Sequence, residues 1–499
     1  MPPLRIAIIG GGCSGLTAAW ELTRPEHQGR YAVTVYQMGW RLGGKGASGR
    51  GPADRIEEHG LHLWMGFYEN AFRLMRECYA ELPPRRGRKF KDWADAFAPT
   101  RHIGVADETA DGWEFWVAHF PGESGLPGDP IPPGAGPYSV ASYLRQAIIL
   151  LRELLRSAGE NGAAAAAAGA AGAAGAGGAV GAAGALPSPE TLVRFAELAA
   201  VGALYEATDF AAQAVETWTP ELFRDRVQTL PLRAIDAVAE AARRRLDEIT
   251  ARDAPLRRTW QVIDLILAIL RGSTAHGLAL DPRGFDAIND YDWREWLRMH
   301  GASEASLDSG FMRGIYDLVF AYEEGDVARP RLAAGVALRG AMRMFFSYRG
   351  SLFWRMNAGM GDVVFAPLYE ALRARGVRFE FFHRLRNVGL GPERKQGAKG
   401  KRGAKAASGA AGGAAGDAPW VRALTFDVQA RAKDPAGYDP LVDVRGVPSW
   451  PAEPVWSRLA GGAALRKKKP AFEWPWDRTR VTTRTLRAQD DFDFVVLAV

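Results

Sequence analysis

The sequence predicts an α/β fold: a Rossmann-like dinucleotide-binding domain joined to a discontinuous, largely helical second domain. Three observations predict it. The apolar run Leu4-Arg5-Ile6-Ala7-Ile8-Ile9 has strand length and leads directly into Gly10-Gly11-Gly12-Cys13-Ser14-Gly15. A helical stretch from Leu16 to Leu22 and a second strand, Tyr31 to Tyr36, complete a strand–turn–helix–strand unit. A long helical middle is then followed, from Asn357 onward, by a return to alternating helix and strand.

The glycines of G-x-G-x-x-G each have a physical task. Gly10 permits the tight turn, Gly12 lets the backbone approach a pyrophosphate, and Gly15 lets the helix lie close on the strand. The free N–H groups and positive end of the helix then face the anion. The second strand ends at Gln37, where such units commonly carry a carboxylate for the ribose hydroxyls. An amide accepts and donates, but without charge assistance. Two readings follow: a ribose held by Gln37, or a nucleotide site of reduced affinity.

Gly39-Trp40-Arg41-Leu42-Gly43-Gly44-Lys45 reads as a loop able to press its backbone on a ligand, a second phosphate contact; the plainer reading is a mobile loop. Ile56 to Trp64 reads as strand with a glycine turn. Residues 66–79 read as an amphipathic helix with Phe72, Met75 and Tyr79 on one face. A strand would put His59 and His62 on opposite faces, and no further ligand cluster accompanies them, so no metal site is assigned.

Together, Ile8 to Leu16, Arg41-Leu42-Gly43-Gly44 and Glu58-His59-Gly60-Leu61-His62 resemble the FAD-dependent amine-oxidase superfamily, nearest its phytoene- and ζ-carotene-desaturase-like branch. The resemblance covers roughly residues 4–80 and 285–499, insertions excluded. It implies an FAD cofactor, with Gly10, Gly12, Ser14 and Gly15 at the pyrophosphate. Arg41, Gly43 and Gly44 would lie near the pyrophosphate and ribityl chain, Gly60, Leu61 and His62 near the flavin ring, and the backbone of Leu385 at the adenine. Gln37 departs from the family's glutamate. Glu58, His59 and His62 are the acid/base candidates, His62 first because imidazole titrates near neutral pH.

Three segments are expected: residues 1–80 as the first part of the FAD-binding domain, 81–350 as a substrate or cap domain, and 351–499 as the return to the FAD-binding domain. Ala163 to Ala185 is nearly pure Ala and Gly, inside an insertion over 157–186, and Gly391 to Pro419 forms a second low-complexity insertion. Asp111-Gly112 and the aromatic run to Phe120 read as a hairpin arm, lining a hydrophobic ligand face or packing as core. Helices are expected over Ser139 to Arg156, through Leu198 to about Ala212, and over Ala234 to Ile249, Thr259 to Leu270, Asp292 to Leu297, Phe311 to Tyr322 and Val336 to Phe346. Met342, Met344, Phe345 and Phe346 read as core, or as the lining of a tunnel for a long apolar ligand. Pro367 to Arg375 reads as a helix capped at Gly376, Val377 to Phe382 as a strand, and Trp420 to Phe426 as half of a hairpin. Residues 434–480 read as irregular, and Phe492 to Val499 as a buried parallel strand. In the resembled family that strand lies mid-chain, so a fragment, or a protein lacking part of its site, is expected.

With 499 residues the chain exceeds one compact core. Its net charge of +6 is concentrated in two basic runs, Arg394 to Lys405 and Arg466 to Lys469, which read as solvated insertions and not as a nucleic-acid footprint; an anionic membrane surface is the weaker second reading. Two cysteines, Cys13 and Cys78, exclude a disulfide framework, and no signal peptide or membrane-spanning run is seen, so the expected location is cytoplasmic, with peripheral membrane association open. The expected function is an FAD-dependent oxidoreductase, desaturase- or dehydrogenase-like, on a small apolar substrate of isoprenoid or carotenoid type. The alternatives are a non-redox Rossmann-fold binding protein and an amine oxidase. Oligomeric state is not assigned.

Overall fold

The computed structural model describes residues 2–60, 62–109, 112–119, 122, 124–130, 140, 142–144, 146–147, 150, 254–391 and 420–499. The Ala/Gly-rich tract, the helices expected between 187 and 249, most of the helix expected at 139–156, and all but Gly391 of the second insertion lie outside these residues. The chain divides into two compact units: residues 1–100, 126–129 and 353–499 form one, and 101–125 with 130–352 the other.

The first unit is α/β. A parallel sheet has Leu4–Ile9 (β1) at its centre, flanked by Tyr31–Tyr36 (β2) and Phe494–Leu497, with Arg378–Glu380 beyond β2. Alternation along β1 sorts its side chains to two faces. Ile6 and Ile8 pack with Leu16, Ala19 and Trp20 of helix Cys13–Leu22 (α1), whereas Ala7 and Ile9 pack with Leu424, Phe426 and Leu486. The latter residues belong to an antiparallel sheet of His383–Gly391, Trp420–Val428 and Thr482–Arg487. Helix, parallel sheet and antiparallel sheet thus form three layers. Helix Glu69–Ala80 (α2) buries Phe72, Met75 and Tyr79, as its periodicity predicts; each such side chain contributes about 1.5–3 kcal/mol of burial. Helix Ala366–Ala374 closes at Gly376, whose φ of +88° fits a C-terminal cap.

Four sequence expectations are corrected. Phe494–Leu497 pairs in parallel with β1 but is not buried: Phe494 is 51% and Leu497 59% exposed, because it is the outer strand of the described sheet. Residues 81–100 belong with the first unit, because Phe97–Thr100 pairs with Phe353–Met356. Residues 434–480 contain a hairpin, Val442–Val444 with Val447–Ser449, and a helix, Gly462–Lys467. The strand expected around His59 and His62 stops at Glu57 and gives way to a turn.

In the second unit, helices Ala254–Ala275, Trp293–Met299, Gly310–Leu318 and Ala334–Phe346 enclose a core of Ile269, Trp296, Leu297, Met312, Tyr316, Leu338 and Met342. Asp292 caps the second of these by accepting from Arg294 N (2.9 Å), and it also accepts from the Tyr316 hydroxyl (3.0 Å) and Leu332 N (2.9 Å). His102–Thr109 and Gly112–His119 form the expected hairpin, with Trp113, Phe115 and Val117 exposed rather than in a core. No helix among the described residues is long and apolar enough to cross a membrane.

Candidate dinucleotide site

The Gly-rich turn sits where β1 passes into α1. Gly10 takes φ +104°, and its N–H donates to Tyr36 O (2.9 Å), so the turn is tied to the end of β2. A Cβ on Gly10 would overlap the Ala498 carbonyl oxygen, and one on Gly15 the Gly10 carbonyl oxygen. These two glycines are required by the fold itself. Gly12 differs: its φ of −79° and ψ of −172° are open to any residue, and a Cβ there would meet nothing closer than Gly44 Cα at 3.8 Å. Gly12 is also the N-terminal cap of α1, with no side chain capping the helix and no acid in its first turn. The bare, positive end of a helix therefore opens beside a glycine that the protein does not itself need.

The loop carrying Arg41, Gly43 and Gly44 closes on this turn. Gly43 N donates to Gly11 O (2.8 Å), and Gly12 bridges Gly43 in parallel. Arg41 is not a free cation. Its Nε donates to Glu473 Oε1 (2.9 Å), its Nη2 also to Glu473, and its Nη1 to Ser48 O (3.1 Å). Glu473 was not flagged by the sequence: it lies in an irregular segment 432 residues away. Gln37 is engaged at both ends, accepting from Gly11 N (2.7 Å) and donating to Met38 O (2.7 Å). Its backbone carbonyl accepts from His383 N (2.9 Å), two residues before Leu385, so the end of β2 and the start of the antiparallel sheet are joined. Leu385 itself pairs with Phe426. Ser14 lies in the first turn of α1.

Glu58 is a junction. Its Oε2 lies 2.6 Å from His62 Nδ1, and its Oε1 accepts from the Ser48 hydroxyl (2.5 Å) and from Met360 N (2.7 Å). Ser48 Oγ in turn accepts from Gly361 N (2.8 Å). The turn after Glu57 makes the Glu58–His62 pairing possible; a continuing strand would have set the two residues about 13 Å apart, four steps of rise. Gly60 lies between them with open space at its Cβ position, and Leu61 is outside the described residues. His59 has no counterpart role in this network. Below it lies a buried pair: Arg50 Nη2 is 2.5 Å from Asp362 Oδ2, and Trp450 N donates to the other oxygen (3.3 Å). Burial pushes the Asp362 carboxyl up, against the pull of Arg50.

With this geometry in hand, comparison with known proteins places the segment. Residues 8–78 match the NAD(P)-binding Rossmann-like domain. Over 80 residues the chain is 39% identical to zeta-carotene desaturases of Capsicum annuum and Arabidopsis thaliana, and over 79 residues 37% identical to that of Synechocystis sp.. The dinucleotide-binding segment is carotenoid desaturase-like. The match covers 16% of this chain and 13–15% of these relatives' own length.

Proposed function

We propose that this chain is an FAD-dependent oxidoreductase of desaturase or dehydrogenase type, acting on an apolar isoprenoid or carotenoid-type substrate. The observation that carries the reading is Gly12: a position where neither the backbone angles nor a steric clash requires glycine, beside an uncapped helix N-terminus, in the segment that resembles zeta-carotene desaturases. The residues present fit the group. The N–H groups at the start of α1 would hold the pyrophosphate, the backbone at Leu385 the adenine, and Gly43 and Gly44 the ribityl side, while the adenosine ribose would fall to the one lone pair and one N–H that Gln37 has left beyond its bonds to Gly11 and Met38. Bound FAD supplies a hydride or electron acceptor.

The chain's own contribution nearest that chemistry is the Glu58–His62 pair. Glu58 Oε1 already accepts from Ser48 Oγ and Met360 N, and the pairing is assigned with His62 Nδ1 donating to Oε2. That tautomer leaves Nε2 as a proton acceptor, which no described residue occupies. His62 is therefore the acid/base candidate and Glu58 its positioning residue.

An absorbance scan of the purified protein from about 300 to 550 nm, followed by chromatography of heat-released ligand, tests the reading. Flavin bands and released FAD are expected, with dehydrogenation assays on apolar substrates to follow. A protein that stays colourless after FAD is added overturns it.

A further inference from the structure

One carboxylate of the first unit is met by three guanidinium groups. Asp427, in the middle strand of the antiparallel sheet, has its side chain only 5% exposed. Its Oδ2 accepts from Arg384 Nη2 (2.6 Å) and its Oδ1 from Arg480 Nη1 (3.2 Å). Arg386 Nη1 stands 3.9 Å from the same Oδ1. Burial alone would raise the Asp427 carboxyl, but the bonds from Arg384 and Arg480 hold it below its ordinary value, so it is ionised near neutral pH.

The three cations are not equivalent. Arg384 is buried and taken up by the fold: its Nη1 donates to the carbonyls of Pro475 (2.9 Å) and Asp477, and its buried Nε alone lacks a partner. The side chains of Arg480 and Arg386 are 46% and 57% exposed. Among the described residues Arg480 donates one side-chain hydrogen bond and Arg386 none, although a guanidinium carries five donors. The neighbouring acid, Asp477, accepts from Ala471 N (2.7 Å) and Thr479 N (2.6 Å). Arg384 by itself matches the charge of Asp427, so Arg386 and Arg480 are in excess of it.

The strand register builds this crowding. His383–Gly391 and Trp420–Val428 pair regularly as far as Leu385 opposite Phe426, and then Asn387 faces Thr425. Arg386 is the extra residue of a β-bulge, a device that re-aims a side chain. In a regular ladder residue 386 would stand opposite Thr425; the bulge sets it outside the pairing and leaves its guanidinium at Asp427. Thr483, paired with Asp427 on the third strand and exposed, adds a hydroxyl on the same face.

We propose that Arg386, Arg480 and Thr483 form a binding site for a phosphate oxyanion, either free phosphate or the phosphoryl group of an organic ligand. Both Nη1 atoms approach one carboxylate oxygen, so they stand no farther apart than those two contacts together, a gap that one tetrahedral anion bridges. Guanidinium forks match phosphate edges, and the anion relieves the repulsion between the two cations. The site uses none of the residues assigned to the dinucleotide and stands independently of the flavin reading.

Titration of the whole protein with inorganic phosphate and with phenyl phosphate, followed by phosphorus NMR and calorimetry at low ionic strength, tests it. Arg386→Gln with Arg480→Gln should weaken binding at least about tenfold. The urea midpoint should stay close to the wild type, because Asp427 keeps Arg384. Arg386→Gln alone removes no hydrogen bond within the protein, so it should fold as the wild type does and still weaken binding. Gly12→Ala, which alters the dinucleotide site, should leave this affinity unchanged. Tighter binding of phenyl phosphate assigns the site to an organic phosphoryl group, and tighter binding of inorganic phosphate assigns it to the free ion. The proposal is overturned if neither probe binds, if both arginine variants bind as tightly as the wild type, or if Gly12→Ala abolishes the binding.

Discussion

Two glycines of one motif should fail in different ways when each becomes alanine. At Gly15 the added methyl would strike the Gly10 carbonyl oxygen and lie 3.3 Å from Ala498 Cβ. Neither obstacle is the end of a flexible side chain, so β1 and α1 must separate. Overpacking of that kind costs about 1–3 kcal/mol, which at 2 kcal/mol shifts the folding equilibrium about thirtyfold. At Gly12 the backbone already suits alanine and no protein atom lies within 3.8 Å of the new carbon. Restricting the unfolded chain gains about 0.4–1 kcal/mol and alanine as the poorer N-cap loses a similar amount, so stability should stay within about 1 kcal/mol of the wild type. The methyl would instead occupy the approach to the helix N-terminus. Losing two charge-assisted backbone hydrogen bonds, at about 1.5–3 kcal/mol each, weakens nucleotide binding at least about a hundredfold. Urea unfolding of both variants, with titration of FAD or ADP by calorimetry, separates the effects. If Gly12→Ala binds as tightly as the wild type, or unfolds as easily as Gly15→Ala, the assignment of Gly12 to a ligand is refuted.

Arg50→Met should leave Asp362 buried and unpaired, at a cost of about 3–5 kcal/mol near neutral pH. Asp362 already has its folded pKa above the ordinary 3.8, so its favourable contribution is present below that value and is lost as pH rises through the folded one. Removing Arg50 raises the folded value further, so the destabilisation should shrink on acidification; equal urea midpoint shifts at about pH 4.5 and 7.5 would contradict this. His62→Asn should retain the flavin spectrum of the loaded protein while lowering turnover about 10²–10⁴-fold, and Glu58→Gln should lower it less and displace its pH profile. Unchanged single-turnover reduction in His62→Asn would remove it from the chemistry.

The sequence by itself determined what neighbouring residues decide. Strand, Gly-rich turn, helix and strand over residues 4–36 stand where the apolar run, the glycines and the helical spacing put them. The same holds for α2 and the cap at Gly376, because periodicity and turn chemistry act over a few residues, while the pairing of 383–391 with 420–428 follows the hairpin that the family resemblance implied. Tertiary structure alone decided which charges meet. Arg41 is held by Glu473, 432 positions away, and Glu58 reaches Met360 across 302. Such partners share no spacing that a sequence records; they meet because the chain leaves the first unit and returns. The terminal strand shows the same limit: its apolar run fixed the pairing with β1, while its position at the sheet's edge left it half-exposed. Gly12 reverses the pattern. Its place in the motif was plain from the sequence, but only the packed structure shows that no clash within the protein requires a glycine there.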